Sequence, residues 1–240
     1  MPCPSVPIRG PLVEGVFVER PNRFLTRVAL PDGSEVESHL ANSGRLHDLL
    51  VPGRRVWLRP AVDPVRKTAF TTVLAEIPGG GLASLDTTLP NRLTGAALAS
   101  GFFEELAGWR LEKAEATLGS HRFDFLLRSR RGQRQLVLEV KSITLVEGGV
   151  ALFPDAVTDR GTRHVRRLAA LARRRRTMAA ILFVAQRSDV CGVCAARSID
   201  PLFAEALAEA REAGVLVLAR RCEVGLEEVR MAEAVPVIAS

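Results

Sequence analysis

The sequence predicts an α/β protein: a small β-barrel over residues 1–81, then a larger α/β unit with a mixed central sheet over residues 82–240. Three observations carry this. Residues 12–77 hold five short β-forming runs broken by turn residues. Pro78-Gly79-Gly80-Gly81 is the strongest breaker in the chain and marks the expected boundary. The remainder reads hairpin, helix, strand, helix, strand, the order of a layered α/β domain.

The barrel runs are Leu12–Glu19, Phe24–Leu30, Glu35–Leu40, Arg54–Leu58 and Phe70–Glu76. Pro31-Asp32-Gly33 turns the chain between the second and third. Arg45–Leu50 reads as a short helical piece between the third and fourth. Five strands with a helix after the third suggest an OB-like barrel, although periodicity alone allows other small barrels. Such a surface binds nucleic-acid backbone through basic side chains with occasional aromatic stacking. Arg20, Arg23, Phe24, Arg27, His39, Asn42 and Arg45 are the candidates; a core Phe24 and ordinary surface arginines are the alternative.

From Pro90 a helix is expected to about Gly108, with Leu93, Ala97, Leu98, Phe102 and Leu106 at helical spacing. Residues 122–141 then form a hairpin of two β-rich runs around a polar, glycine-containing turn. With Arg131 and Gly132 as the loop, every cross-strand pair has numbers summing to 263. Asp124 then faces Glu139, and the other face pairs Phe123 with Val140, Phe125 with Leu138 and Leu127 with Leu136. A one-residue slip would scramble that face.

Two carboxylates opposed across a strand pair oppose folding, so positive charge belongs beside them. Lys141 lies two residues beyond Glu139 on the same face. A hard divalent cation such as Mg²⁺ would take oxygens from Asp124, Glu139 and the Val140 carbonyl. A plain Glu139–Lys141 ion pair with Asp124 solvated is the alternative that the spacing allows. Only three of the 33 basic residues are lysines, and Lys141 stands where a compact ammonium suits the chemistry better than a guanidinium.

Residues 142–153 read as an extension and a loop turning at Gly148-Gly149. Thr158 or Asp159 can cap a helix running to about Arg176. Val165, Leu168, Leu171 and Ala172 take one side of it, and Arg163, Arg166, Arg167 and Arg174 the other. With Arg160 in its first turn, that stripe can track a phosphate backbone. Ala179–Ala185 is a buried-strand pattern, Asp200-Pro201 opens a helix closed by Gly214, and Val215–Ala219 is the next strand. Cys191 and Cys194 have the spacing of half a zinc site without a second pair.

The net charge is +6 and the sequence pI about 9.9, a balance that permits polyanion binding. No stretch is apolar and long enough to span a membrane, and Met-Pro-Cys-Pro-Ser at the start lacks a basic segment followed by an apolar one. Four cysteines do not resemble a secreted disulfide framework. A cytoplasmic protein is expected, and the basic charge is compatible with association with the nucleoid. Phosphate-binding glycine loops, Gly-x-Ser-x-Gly and His-Glu-x-x-His are not found.

Asp124, fourteen residues, then Glu139-Val140-Lys141 resembles the active-site motif of the PD-(D/E)XK nuclease-like superfamily. Longer runs extend the likeness: Pro21-Asn22-Arg23-Phe24, His39 to Gly44, Pro90 to Leu93, Arg122 to Phe125, Glu139 to Ser142, Phe153 to Thr158, Arg160 to His164 and Ile199 to Pro201. Through them the whole chain resembles the sugar fermentation stimulation protein A family. The resemblance implies an OB-like domain followed by a nuclease-like α/β domain, and DNA as a partner bound without strong sequence specificity. It implies Glu105 as a further metal ligand, with Mg²⁺ or Mn²⁺ as cofactor if the site is catalytic. The alternative is an active Mg²⁺-dependent nuclease that hydrolyses DNA or RNA. The family name suggests regulation of sugar metabolism, yet no helix-turn-helix can be placed for sequence readout. A homodimer is compatible with either reading.

Overall fold

The computed structural model describes residues 3–63, 65–119 and 121–238. After β1 (Ser5–Pro7), five strands build the barrel: β2 (Val13–Asn22), β3 (Leu25–Ala29), β4 (Glu35–His39), β5 (Arg55–Pro60) and β6 (Phe70–Glu76). Antiparallel pairings join β4 to β3, β3 to β2, β2 to β5 and β5 to β6, and a parallel β4–β6 pairing closes the ring. Val28, Leu40, Leu49, Val56, Leu58 and Ala75 fill it. This is the OB-like barrel the strand count suggests, with alternate residues inward as a closed sheet requires.

Three local expectations change. Arg45–Leu50 is a turn, not a helix: the Leu49 and Leu50 N–H groups both bond to the Leu46 carbonyl, at 3.1 and 2.8 Å. Leu46 itself has φ 56°, a left-handed value that ends any helix. Pro78–Gly81 turns β6 into β7 (Leu82–Ser84), which pairs with β6, so the glycine run is a hairpin turn inside this sheet. β1, in turn, pairs with a strand of the other unit, so the first residues do not belong to the barrel.

The second unit runs α1 (Leu89–Ser100), β8 (Trp109–Leu118), β9 (His121–Ser129), β10 (Gln135–Ile143), β11 (Val146–Glu147), β12 (Val150–Phe153), α2 (Asp159–Ala172) and β13 (Thr177–Ala185). It continues through β14 (Gly192–Ala195), α3 (Pro201–Glu212), β15 (Leu216–Val224), β16 (Glu228–Ala234) and β17 (Val237–Ile238). The main sheet has the order β1-β16-β15-β13-β10-β9-β8. It is parallel from β10 through β13 to β15 and antiparallel elsewhere, the mixed sheet expected. β13 lies in its middle, buried on both faces, which is why its sequence is a continuous apolar run. Ala180, Leu182 and Val184 pack toward α1. Ala179, Ile181, Phe183 and Ala185 pack toward α2 and α3.

α1 stops at Ser100, short of Gly108, because Gly101 takes a left-handed φ of 71° and caps the helix. Glu104–Leu106 then form a separate 3₁₀ turn. β8 is absent from the sequence reading. It lies at the sheet edge, and its alternation Trp109-Arg110-Leu111-Glu112 is broken by a register shift between Leu111 and Lys113, so the charged run Glu112–Glu115 hides it. α2 begins as expected, with Thr158 Oγ1 accepting the Gly161 N–H at 3.0 Å. It ends at Ala172, and Arg173–Arg176 lie past it. Asp200 caps α3 through the Phe203 N–H at 3.0 Å and also accepts the Thr158 N–H at 2.8 Å, so one carboxylate joins the starts of both helices. Among the described residues no helix is long and apolar enough to cross a membrane.

The barrel docks where its 42–45 loop meets the turn before α2. Asp155 Oδ2 accepts the Arg45 N–H at 2.7 Å, and a Cβ on Gly44 would sit 2.6 Å from that oxygen. Gly44→Ala is therefore expected to turn the Asp155 carboxylate off the Arg45 N–H and destabilise the fold by about 1 kcal/mol, measured by urea unfolding.

Candidate metal centre and nucleic-acid interface

The β9–β10 register pairs Arg128 with Gln135, Leu127 with Leu136, Leu126 with Val137 and Phe125 with Leu138, so the numbers sum to 263 as expected. The loop is wider than the two-residue turn. Ser129 N–H bonds to the Arg134 carbonyl at 2.9 Å, while the Arg130 N–H turns to Gly108 of the preceding segment.

Beyond Phe125–Leu138 the ladder stops. Asp124 Oδ2 takes the Val140 N–H at 2.7 Å, standing in for the missing backbone partner. Its Oδ1 accepts from Asn91 Nδ2 at 2.7 Å, in the first turn of α1. The expected Phe123–Val140 contact is therefore not formed: Phe123 packs under α2 and Val140 under α1. Within a strand residue, N–H and C=O point to the same side, so the Val140 carbonyl also faces the gap that Asp124 occupies.

Glu139 is buried, 5% exposed. Its Oε1 accepts from Lys141 Nζ at 2.6 Å and lies 2.7 Å from His164 Nδ1 of α2. Its Oε2 has no hydrogen-bond partner among the described residues, which leaves one oxygen for a ligand. Burial and then the neighbouring Glu139 charge push the Asp124 carboxyl above its usual pKa, against the opposing pull of the Val140 N–H, Asn91 and Lys141. The sequence thus places Asp124, Glu139, Lys141 and Val140 together, and the fold adds Asn91 and His164. Neither had a chemical role in the sequence reading; the only signal was that both lie in runs that carry the family resemblance.

Glu105 does not join them. Both of its oxygens bond to Arg220 Nη2 at 2.8 Å, from a 3₁₀ turn at Glu104–Leu106. Burial pushes its carboxyl up, and the Arg220 guanidinium outweighs this and holds it below the usual range. Among the described residues no three His, Cys, Asp or Glu side chains form a metal-ready group. The cysteines do not make one either. Cys191 Sγ donates to the Gly149 carbonyl at 3.2 Å, and Cys222 is buried in the layer under α1.

Beside the carboxylates runs the basic face of α2. Arg160, Arg163 and Arg167 fall on the side that carries His164, since positions three and four apart share a helical face. Arg160 and Arg163 are exposed, and the Arg167 guanidinium lies against Gly119, 3.7 Å from the position of a Cβ there. Arg166 turns to Glu209 of α3 at 3.8 Å. Arg174 lies beyond the helix end and leaves the stripe.

The barrel candidates divide. Arg20 donates to the carbonyls of Arg23, Asn42, Gly44 and Arg45 at 2.7–3.0 Å, and buried Asn42 donates to Leu85 at 3.2 Å. Both hold the docking loop in shape. Arg27 is paired with Glu19 and Glu37. Arg23, Phe24 and Arg45 are exposed, and His39 is half-buried.

The chain matches two family descriptions, the sugar fermentation stimulation protein RE domain over residues 88–228 and the SfsA N-terminal OB domain over residues 18–85. A sugar fermentation stimulation protein homolog of Shouchella clausii is 49% identical, covering 95% of this chain and 98% of the relative. A homolog of Geobacter sulfurreducens is 41% identical over 95% of this chain and 97% of the relative. Among solved structures, Pyrococcus furiosus SfsA in complex with Ca²⁺ is similar with a TM-score of 0.84 and 31% identity, covering 96% of this chain and 97% of that one.

Proposed function

The chain belongs to the sugar fermentation stimulation protein family, and on that premise we propose that it is a DNA-binding protein holding a divalent cation on Asp124, Glu139 and the Val140 carbonyl. The observation that carries this is His164. It lies on the basic face of α2 and reaches Glu139 at 2.7 Å, so a cationic stripe and an acidic pair form one surface.

The donor set suits a hard cation. It is oxygen throughout, Glu139 Oε2 is unengaged, and the opposed carboxylates need a countercharge that Lys141 alone supplies only to Oε1. The Pyrococcus relative was solved with Ca²⁺. A bound cation would neutralise the pair and act as a Lewis acid toward phosphate oxygen. Asn91 and the Val140 N–H orient Asp124, while Lys141 and His164 fix Glu139 by one oxygen and leave the other free. Arg160, Arg163 and Arg167 would seat backbone phosphates alongside. Lys141 favours a second reading, phosphodiester hydrolysis, because an ammonium 2.6 Å from Glu139 can hold a water or a phosphate oxygen there.

DNA binding is tested by fluorescence anisotropy of labelled DNA across a salt series. Replacing Arg163 and Arg167 by alanine together should weaken binding and lower the log–log salt slope by about 2. An unchanged slope removes α2 from the interface.

Acidity should matter to the cation site. The raised Asp124 pKa means that the folded protein keeps a proton there at a pH where the unfolded chain has lost it. Asp124 therefore favours the fold below its unfolded pKa, and this contribution is lost as pH rises through the folded value. A cation needs the carboxylate, so protons compete from above the ordinary carboxylate range. Calorimetric Ca²⁺ or Mn²⁺ affinity should fall as pH is lowered toward that range, and Asp124→Asn should raise stability at neutral pH while weakening the cation.

A further inference from the structure

A groove of about 670 Å³ opens between the β5–β6 loop and the first turn of α1. A second of about 730 Å³ crosses the barrel face. Arg59 and Arg66 line both, so the two grooves adjoin at these side chains and a chain laid across them would follow one track. Arg9 and Arg92 lie at its inner end and Lys67 at its outer end. Of these five cations only Arg92 has a carboxylate partner among the described residues, Asp86 at 3.5 Å. The acids of the inner wall are engaged elsewhere as well: Asp63 Oδ1 accepts the Val65 N–H at 2.9 Å, and Asp86 Oδ1 accepts the Thr88 N–H at 2.9 Å.

The channel is also flanked by apolar groups that the fold leaves in water. Phe24 is 51% exposed, Val62 99% and Val65 87%. The Phe24 backbone is anchored, with its N–H on Asn22 Oδ1 at 2.9 Å and its carbonyl accepting the Leu40 N–H at 2.9 Å, so the ring stands out from a fixed point of the barrel. An exposed ring on an anchored backbone, beside cations without carboxylate partners, is matched by a ligand that presents flat apolar faces and phosphates together. Single-stranded nucleic acid does so. A duplex stacks its bases on one another and offers Phe24 no face.

We propose that this channel is a track for single-stranded nucleic acid, with a base on Phe24 and phosphates on Arg66, Arg59, Arg9 and Arg92. The proposal rests on the nucleic-acid reading above and gives it a strandedness and a second surface. Arg92 directly follows Asn91, so the inner end of the track meets the turn of α1 that holds Asp124.

The test measures anisotropy of a labelled oligothymidylate and of a duplex of equal length, over a salt series, on the full chain. Phe24→Ala should weaken the single strand by about 5- to 100-fold and leave the duplex unchanged, and Phe24→Trp should restore it. Replacing Arg9, Arg59 and Arg66 by alanine together should lower the single-strand salt slope by about 2. Single-strand binding that ignores both variants but falls with Arg163 and Arg167 overturns the track and leaves the α2 interface standing. A wild-type chain that binds neither oligonucleotide overturns the track and the DNA-binding reading together.

Discussion

Glu139→Ala is expected to weaken Ca²⁺ or Mn²⁺ binding by more than about 100-fold in calorimetric titration, since it removes a ligand and the anchor of its neighbours at once. Glu139 is buried and receives Lys141 and His164 on one oxygen. Without it, Asp124 faces a lone ammonium and the second oxygen offered to the cation is gone. DNA binding should survive, because none of the side chains proposed to contact phosphate, on α2, the barrel, the β1–β2 segment and α1, is bonded to Glu139. The same variant decides between the two functional readings. A wild-type protein that cleaves labelled single-stranded or duplex DNA with Mg²⁺ or Mn²⁺, and a Glu139→Ala protein that does not, would establish a nuclease. Lys141→Ala should then also stop cleavage while keeping most cation affinity, because Nζ is no ligand. Binding without cleavage on every substrate leaves the DNA-binding reading alone. Undiminished cation affinity in Glu139→Ala would remove the proposed centre.

Arg187→Ala is expected to produce the largest stability loss, about 3 kcal/mol in urea unfolding. The side chain is 2% exposed, where the barrel meets the α/β unit. It pairs with Asp48 of the barrel, with Asp189 at 2.7 Å, and donates to the Thr144 carbonyl at 2.8 Å. Backbone contacts flank it: Ala83 bridges to Arg187, and the Ser84 N–H bonds to the Gln186 carbonyl at 3.0 Å. Truncation strands two carboxylates and a carbonyl and leaves a void. Asp48 and Asp189 keep 21% and 34% of their side-chain surface in water, so the loss falls at the lower end for a broken buried pair. Loss of this clasp should also separate the unfolding of the two units into distinct transitions. A change below about 1 kcal/mol would show that the backbone contacts suffice.

Much of the candidate site is legible in the sequence because a hairpin is a local object. Strand period and the apolar pairs Phe125–Leu138 and Leu127–Leu136 allow one register, and that register brings Asp124 toward Glu139 with Lys141 beside it. The barrel is legible from five short runs, and α2 and α3 from Thr158 and Asp200, whose caps depend on neighbours three residues away. β8 is not, because a register shift between Leu111 and Lys113 breaks its period and a charged run covers the middle of this edge strand.

What the chain determines by itself is therefore every feature set by nearby residues: strand register, helix starts, and the identity of the opposed carboxylates. Only the tertiary structure decides which distant side chains complete the site. Asn91 reaches Asp124 across 33 positions and His164 reaches Glu139 across 25, through helices packed on opposite faces of one sheet. Glu105 is withheld because Arg220, 115 residues away, holds both its oxygens. Arg187 meets Asp48 across 139. The reason is physical: a single position's spacing constrains directions over one helical turn or one strand pair, whereas these contacts depend on how whole layers pack, which burial of apolar surface settles without regard to the polar residues carried along.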